Sequence, residues 1–121
     1  MSKNILIVDD EENIREIIGE FLETLGYNVF EASNGEEAIM ACGKAKFDLV
    51  ITDIRMPKMN GLKLLKTLKT VMPDLPVILM TGYQPSKNQE TNLSVKADGY
   101  LLKPFSLNSL RQAILKVFKT L

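Results

Sequence analysis

Five side chains of this 121-residue sequence could do chemistry together, and each follows a short apolar run. Asp9 and Asp10 follow Ile5 to Val8, Asp53 follows Leu49 to Thr52, Thr81 follows Val77 to Met80, and Lys103 follows Tyr100 to Leu102. Such runs read as strands buried on both faces of a parallel sheet, whose ligands bind beyond the carboxyl ends of the strands. Two ionised carboxylates about 4 Å apart repel by roughly 4 kcal/mol at an effective dielectric of about 20. Three acids gathered at one edge therefore need a cation. Hard oxygen donors, with no nitrogen or thiolate among them, suit Mg²⁺ with several waters retained, and a phosphate oxygen could complete its octahedron. Pro104 keeps Lys103 out of a helix and at the edge. The lysine is expected to pair with Asp53, or with whatever charge Asp53 acquires.

Several classes of chemistry are excluded at once. The chain has no histidine, which removes Ser-His-Asp and Cys-His nucleophile systems, histidine metal sites and phosphohistidine carriers. Fifteen basic and fifteen acidic residues cancel, which argues against nucleic acid or a membrane surface recognised by bulk charge. The single Cys42 reads as a buried core thiol, and no disulfide framework can form. Only Ile5 to Val8 precede the acids at the amino terminus, neither a signal peptide nor a span. The chain reads as cytoplasmic, and the sequon Asn92-Leu93-Ser94 as chance.

The elements that must position these residues alternate regularly. Tyr27 to Ala32 reads as a more polar edge strand. Between the strands lie helical stripes: Ile14, Ile17, Ile18, Phe21, Leu22 and Leu25, closed by Gly26 as a left-handed cap; Ala38, Ile39, Cys42 and Ala45 after Asn34-Gly35; Leu62, Leu65, Leu68 and Val71 after Asn60-Gly61; and Leu107, Leu110, Ala113, Ile114, Val117 and Phe118 after a Ser106 cap. Strand and helix alternating in this way predict one α/β domain over residues 1–121, a parallel sheet with helices on both faces. The segment between Gly82 and Ala97 is the weakest part of the pattern. Rich in Pro, Ser, Asn and Thr, it predicts at most a short helix of low local stability.

The segments "ILIVDDEENIR", "DLVITDIRMPKMNG", "VILMTGY" and "YLLKPF" stand in the order and spacing of a known family. Together they resemble the receiver domain of response regulators of two-component signal transduction systems, over essentially the whole chain. The resemblance implies a flavodoxin-like three-layer sandwich: a five-stranded parallel sheet in the order 2-1-3-4-5 flanked by five helices. It implies that Asp53 is the phosphoacceptor, taking a phosphoryl group from a sensor histidine kinase or a phosphotransfer protein. Asp10, Asp53 and the backbone carbonyl of Arg55 would bind Mg²⁺ directly, with Asp9 acting through a water. Thr81 and Lys103 would contact the phosphoryl group, Tyr100 would turn inward as Thr81 moves, and the Lys103–Pro104 bond would be cis. Such a protein is a signalling receiver rather than an enzyme, catalysing only its own phosphorylation and dephosphorylation.

Departures from the family pattern carry expectations of their own. Gly82 follows Thr81 where alanine is frequent, and Arg55 and Tyr83 stand where the family tunes hydrolysis of the acyl phosphate. Neither is an acid or amide that would orient water, so the phosphoryl group is expected to be long-lived. The output face is expected along the fourth helix, the fifth strand and the last helix, acting on a downstream effector, and it could support a phosphorylation-dependent dimer. The alternative is a phosphorylation-independent interaction module of the same fold. An aspartyl-phosphate phosphatase would need a second acid where Arg55 stands, and a nucleotide binder would need a glycine-rich first loop.

Overall fold

A computed structural model describes residues 2–82 and 96–119. Along the chain run β1 (Asn4–Val8), α1 (Glu12–Thr24), β2 (Asn28–Ala32), α2 (Gly35–Lys44), β3 (Leu49–Asp53), α3 (Gly61–Val71), β4 (Val77–Thr81), β5 (Gly99–Leu102) and α4 (Leu107–Lys119). The five strands form one parallel sheet in the order 2-1-3-4-5, the flavodoxin-like arrangement. The described residues contain four helices rather than five. The further helix expected between Gly82 and Ala97 falls outside them.

Each central strand is apolar on both sides because each side has its own core. Leu6, Val8, Val50, Val77 and Leu79 pack against α2 and α3 through Ala38, Cys42, Leu64, Leu65 and Leu68. Their neighbours Ile5, Ile7, Leu49, Ile51, Ile78 and Met80 pack against α1 and α4 through Ile18, Leu22, Leu110, Ile114 and Val117. The strand period of two thus feeds two layers. Cys42 is a buried core thiol whose pKa burial pushes up, as its surroundings predict.

The helix ends are set by the residues expected to set them. The side chains of Asn34, Asn60 and Ser106 accept from the backbone N–H groups of Glu37, Lys63 and Ser109 at 2.9, 2.9 and 3.0 Å. Gly26 takes φ +94, and the Tyr27 N–H returns to the Leu22 carbonyl at 3.1 Å. The apolar stripes are wider than their buried faces, however. Ile17 and Val71 are 55% and 67% exposed, and Leu25 and Leu107 are exposed too, whereas Leu64, outside the expected stripe, is fully buried. The last strand also departs from expectation: in β5 only Leu101 is buried, and Tyr100 and Leu102 are 38% and 49% exposed. β5 is an edge strand, paired with β4 alone among the described residues.

Two close contacts fix the loop that carries Asp53. The Gly61 N–H donates to the Ile54 carbonyl at 2.8 Å, bringing the start of α3 against the end of β3. A methyl group at Gly61 would be driven into the Asp53 carbonyl and the Ile54 Cα, both backbone and unable to yield. Between them Lys58 adopts φ 68, a left-handed conformation that favours glycine or asparagine. Farther along, Asp98 Oδ2 accepts from the Val77 N–H at 2.8 Å and from Lys69 Nζ at 2.6 Å, tying the start of β5 to β4 and α3. Gly61→Ala is expected to lower unfolding free energy by about 2–3 kcal/mol, the cost of forced overpacking. Denaturant melts measure it, and a loss within error would mean that α3 slides away freely.

Candidate functional site

Register alone brings the site together. β1 and β3 pair Val8 with Thr52, so the next residues of each strand, Asp9 and Asp53, meet at the edge. β4 and β5 pair Thr81 with Leu102, so Lys103 emerges beside Thr81, and the Lys103 N–H donates to the Thr81 carbonyl at 2.6 Å. Lys103 Nζ lies 3.2 Å from Asp53 Oδ2 and 3.4 Å from Asp9 Oδ2. The Lys103–Pro104 peptide bond is cis. Lys103 thus pairs with Asp53, the partner expected for it, and with Asp9 as well.

Asp9 is the most enclosed of these groups. It is completely buried, its Oδ1 accepts from the Glu11 N–H at 2.9 Å, and its own N–H donates to the Ala32 carbonyl at 3.2 Å. Burial pushes the Asp9 carboxyl above its ordinary pKa. The Glu11 N–H and Lys103 pull it down without cancelling that, and Asp53 adds repulsion. For Lys103, burial opposes the charge, but the carboxylates of Asp9 and Asp53 outweigh it and hold the amine above its usual value.

One carboxylate oxygen from each of Asp9, Asp10 and Asp53 lies within 4.8 Å of the other two. Asp53 and Thr81 are buried while Asp10 and Arg55 are exposed, so the group faces a cleft of about 400 Å³ lined also by Gly82. At roughly 30 Å³ per water molecule, that space takes a phosphoryl group together with solvent. The donors are all oxygen, and the Lys103 ammonium is shared between two of the three carboxylates. The cluster is thus able to hold a divalent metal ion.

The sequence matches the response regulator receiver domain profile over residues 5–115. The chain belongs to the response regulator receiver domain family. It is 37% identical, over 96% of its length and 50% of the relative, to the alkaline phosphatase synthesis transcriptional regulatory protein PhoP of Bacillus subtilis. With the sporulation initiation phosphotransferase F of the same organism it is 34% identical over 96% of this chain and 94% of that one. Its fold superposes with TM-score 0.85 and 39% identity on the response regulator TrrA of Thermotoga maritima in complex with Mg²⁺–BeF, covering 95% of this chain and 98% of that one. The receiver domain spans about half the length of most of the transcriptional regulators it matches. These likenesses favour the phosphoacceptor role over a phosphorylation-independent module. No described helix of this receiver domain is long and apolar enough to cross a membrane.

Asp9, Asp10, Asp53, Arg55, Thr81 and Lys103 lie at the carboxyl edge, and Tyr100 stands exposed on β5. Tyr83 lies outside the described residues. Sequence reasoning passed over Arg15 and Glu31, which reach the back of the cluster. Its only signal was a basic residue closing the acidic stretch "DDEENIR".

A carboxyl whose folded-state pKa is raised destabilises the native state fully above that pKa, and the penalty fades as pH falls from there to the unfolded value. Asp9→Asn keeps an oxygen for the Glu11 N–H and removes the charge. In metal-free protein at neutral pH it is expected to raise stability by on the order of 1 kcal/mol, a few degrees in Tm. The gain should shrink as acid protonates Asp9 in the parent. Thermal melts of both proteins in chelator check this, and a lower Tm for the variant at neutral pH would refute it.

Proposed function

We propose that this receiver domain takes a phosphoryl group onto Asp53 from a phosphohistidine of a sensor histidine kinase or phosphotransfer protein. The observation that carries the reading is Lys103 Nζ shared between Asp53 and Asp9 at the mouth of the cleft. An Asp53 carboxylate oxygen attacks phosphorus, the P–N bond of the donor breaks, and its electron pair stays on the imidazole. The product is an acyl phosphate. Transfer of this kind has a loose transition state with charge spread over the equatorial oxygens, so position and countercharge do the catalysis rather than proton transfer. Lys103 pairs with one of those oxygens and the Thr81 hydroxyl with another. Asp10, Asp53 and the Arg55 carbonyl would hold Mg²⁺, with Asp9 reaching it through water, and the ion supplies positive charge to the same oxygens when bound. That TrrA is solved with Mg²⁺–BeF supports the choice of ion. In this reading the domain is a signalling module that catalyses its own phosphorylation and dephosphorylation.

The dianion formed beside Thr81 biases a second arrangement in which Tyr100 turns inward. The moving face then comprises β5 and α4, and it meets an effector domain, a downstream protein or a second copy; the further helix expected in that face lies outside the described residues. Intact-mass spectrometry after incubation with Mg²⁺ and acetyl phosphate tests the chemistry. One phosphoryl group is expected, lost without Mg²⁺ and in Asp53→Ala. Equal uptake by Asp53→Ala would overturn the assignment. In the same sample, amide shifts confined to the loops of the acid edge would sink the switch. Arg55 lines the cleft, and a guanidinium has no acceptor with which to orient attacking water. The phosphoryl group should therefore persist, and decay within seconds, unaltered by Arg55→Ala, would contradict this.

An apolar groove of about 560 Å³ adjoins Lys103, lined by Ile14, Ile17, Ile18, Pro104, Phe105 and Leu107. It is continuous with the phosphoacceptor edge and is the surface on which the donor protein docks. Pairing Ile17→Asp with Leu107→Asp should slow transfer from a phosphorylated donor protein by about tenfold or more, the scale of an interface hot spot. Uptake from acetyl phosphate should be preserved. Equal slowing with both donors would show that the change damages the site itself.

A further inference from the structure

Arg15 sits near the start of α1, yet its side chain is only 15% exposed and turns back against the sheet. Its Nη1 donates to the Asp9 carbonyl at 2.6 Å, and its Nε donates to Glu31 Oε1 on β2 at 2.9 Å. The other polar groups of Asp9 have partners in Ala32, Glu11 and Lys103. Arg15 therefore supplies the bond to the Asp9 carbonyl, where β1 ends and the acid turn begins. Glu31 is half exposed, so its ion pair adds little energy. What it does is orient the guanidinium. A planar fork can hold two acceptors at fixed angles, whereas an ammonium is a point charge on a flexible stem.

We propose that Arg15, oriented by Glu31, is a positioning residue for the acid cluster: its bond to the Asp9 carbonyl fixes the Asp9-Asp10 turn in the geometry that takes a divalent cation. The inference rests on the reading of the cluster as a Mg²⁺ site. Its two components act in opposite directions. The positive charge of Arg15 lowers cation affinity by repulsion, while the hydrogen bond raises it by preorganisation, so substitution can tell them apart.

The test is calorimetric titration with Mg²⁺ alone of the parent, Arg15→Lys and Arg15→Gln, with thermal melts in parallel. Arg15→Lys keeps the charge and loses the fork, and it should bind Mg²⁺ about tenfold more weakly, as loss of a partner behind a metal ligand does. In phosphoryl uptake from acetyl phosphate, the half-saturating Mg²⁺ concentration should rise by a similar factor while the rate at saturating Mg²⁺ is kept, a split that lost stability would not produce. Lys binding Mg²⁺ as the parent does, or Gln binding it more tightly, would reduce Arg15 to a charge and overturn the proposal. A lower Tm with unchanged affinity would do the same. A parent protein that shows no Mg²⁺ binding would overturn the metal reading and this inference together, a result distinct from failure of the variants.

Discussion

Crowding of negative charge at the end of β1 and β3 is the constraint on which this structure turns. Paired register makes Asp9 and Asp53 neighbours, Asp10 adds a third carboxylate within 4.8 Å, and the Lys103 ammonium is divided between the first two. At that spacing each pair of like charges costs kilocalories rather than tenths. The arrangement survives because the strands beneath it leave the acids nowhere to go. Ile5, Ile7, Leu49 and Ile51 are fully buried, and a register slip would expose an entire face of apolar residues. The core thus holds in place a charge cluster that would disperse if the chain were free to move.

The loops around the cluster are shaped by the same need. Gly61 lets α3 approach the Asp53 carbonyl without a side chain between them, and Lys58 accepts a left-handed backbone in the connecting turn. Asp9 is held by its own N–H, carbonyl and carboxylate at once. Such overdetermination is what lets a site keep groups in unfavourable surroundings. By contrast, β5 has four residues, one of them buried, and is fastened at its start by Asp98 and at its end by the Lys103–Thr81 backbone bond. The tightly held and the sparsely buried parts of the molecule belong to one sheet, β1 and β3 in its interior and β5 at its edge.

Much of this was legible in the chain. The buried strands showed as unbroken apolar runs, and three of the helix starts showed as Asn34, Asn60 and Ser106. The edge constellation could be read because every residue in it ends a strand or stands within two residues of its end, where the sheet itself dictates direction. What could not be read depends on how much of a surface a neighbour covers. Ile17 and Val71 satisfy the helical period and remain exposed, since a period locates a stripe but not the width of the layer that meets it. Tyr100 and Leu102 looked like core because their strand is apolar, and only its place at the sheet edge leaves them outside. Arg15 was invisible for the opposite reason: a helical arginine among acids reads as a solvated ion pair, and its bond to the Asp9 carbonyl exists only once β1, β2 and α1 have packed.

In the proposed function, crowding of carboxylates is also what makes a phosphoryl signal readable. A ligand shifts a conformational equilibrium only by its difference in affinity for the two states. If the site were relaxed when empty, added groups would find little to change. Here Lys103 is divided between two carboxylates, and any dianion placed on Asp53 competes for that same ammonium. Movement of Lys103 toward a phosphoryl oxygen weakens its hold on Asp9, while the Thr81 hydroxyl lies on the strand whose carbonyl receives the Lys103 N–H. The two contacts that would recognise a phosphoryl group are thus joined by backbone at the mouth of β5. In the proposed function, a change in charge at Asp53 has a backbone route through Lys103 to the strand that carries the exposed Tyr100.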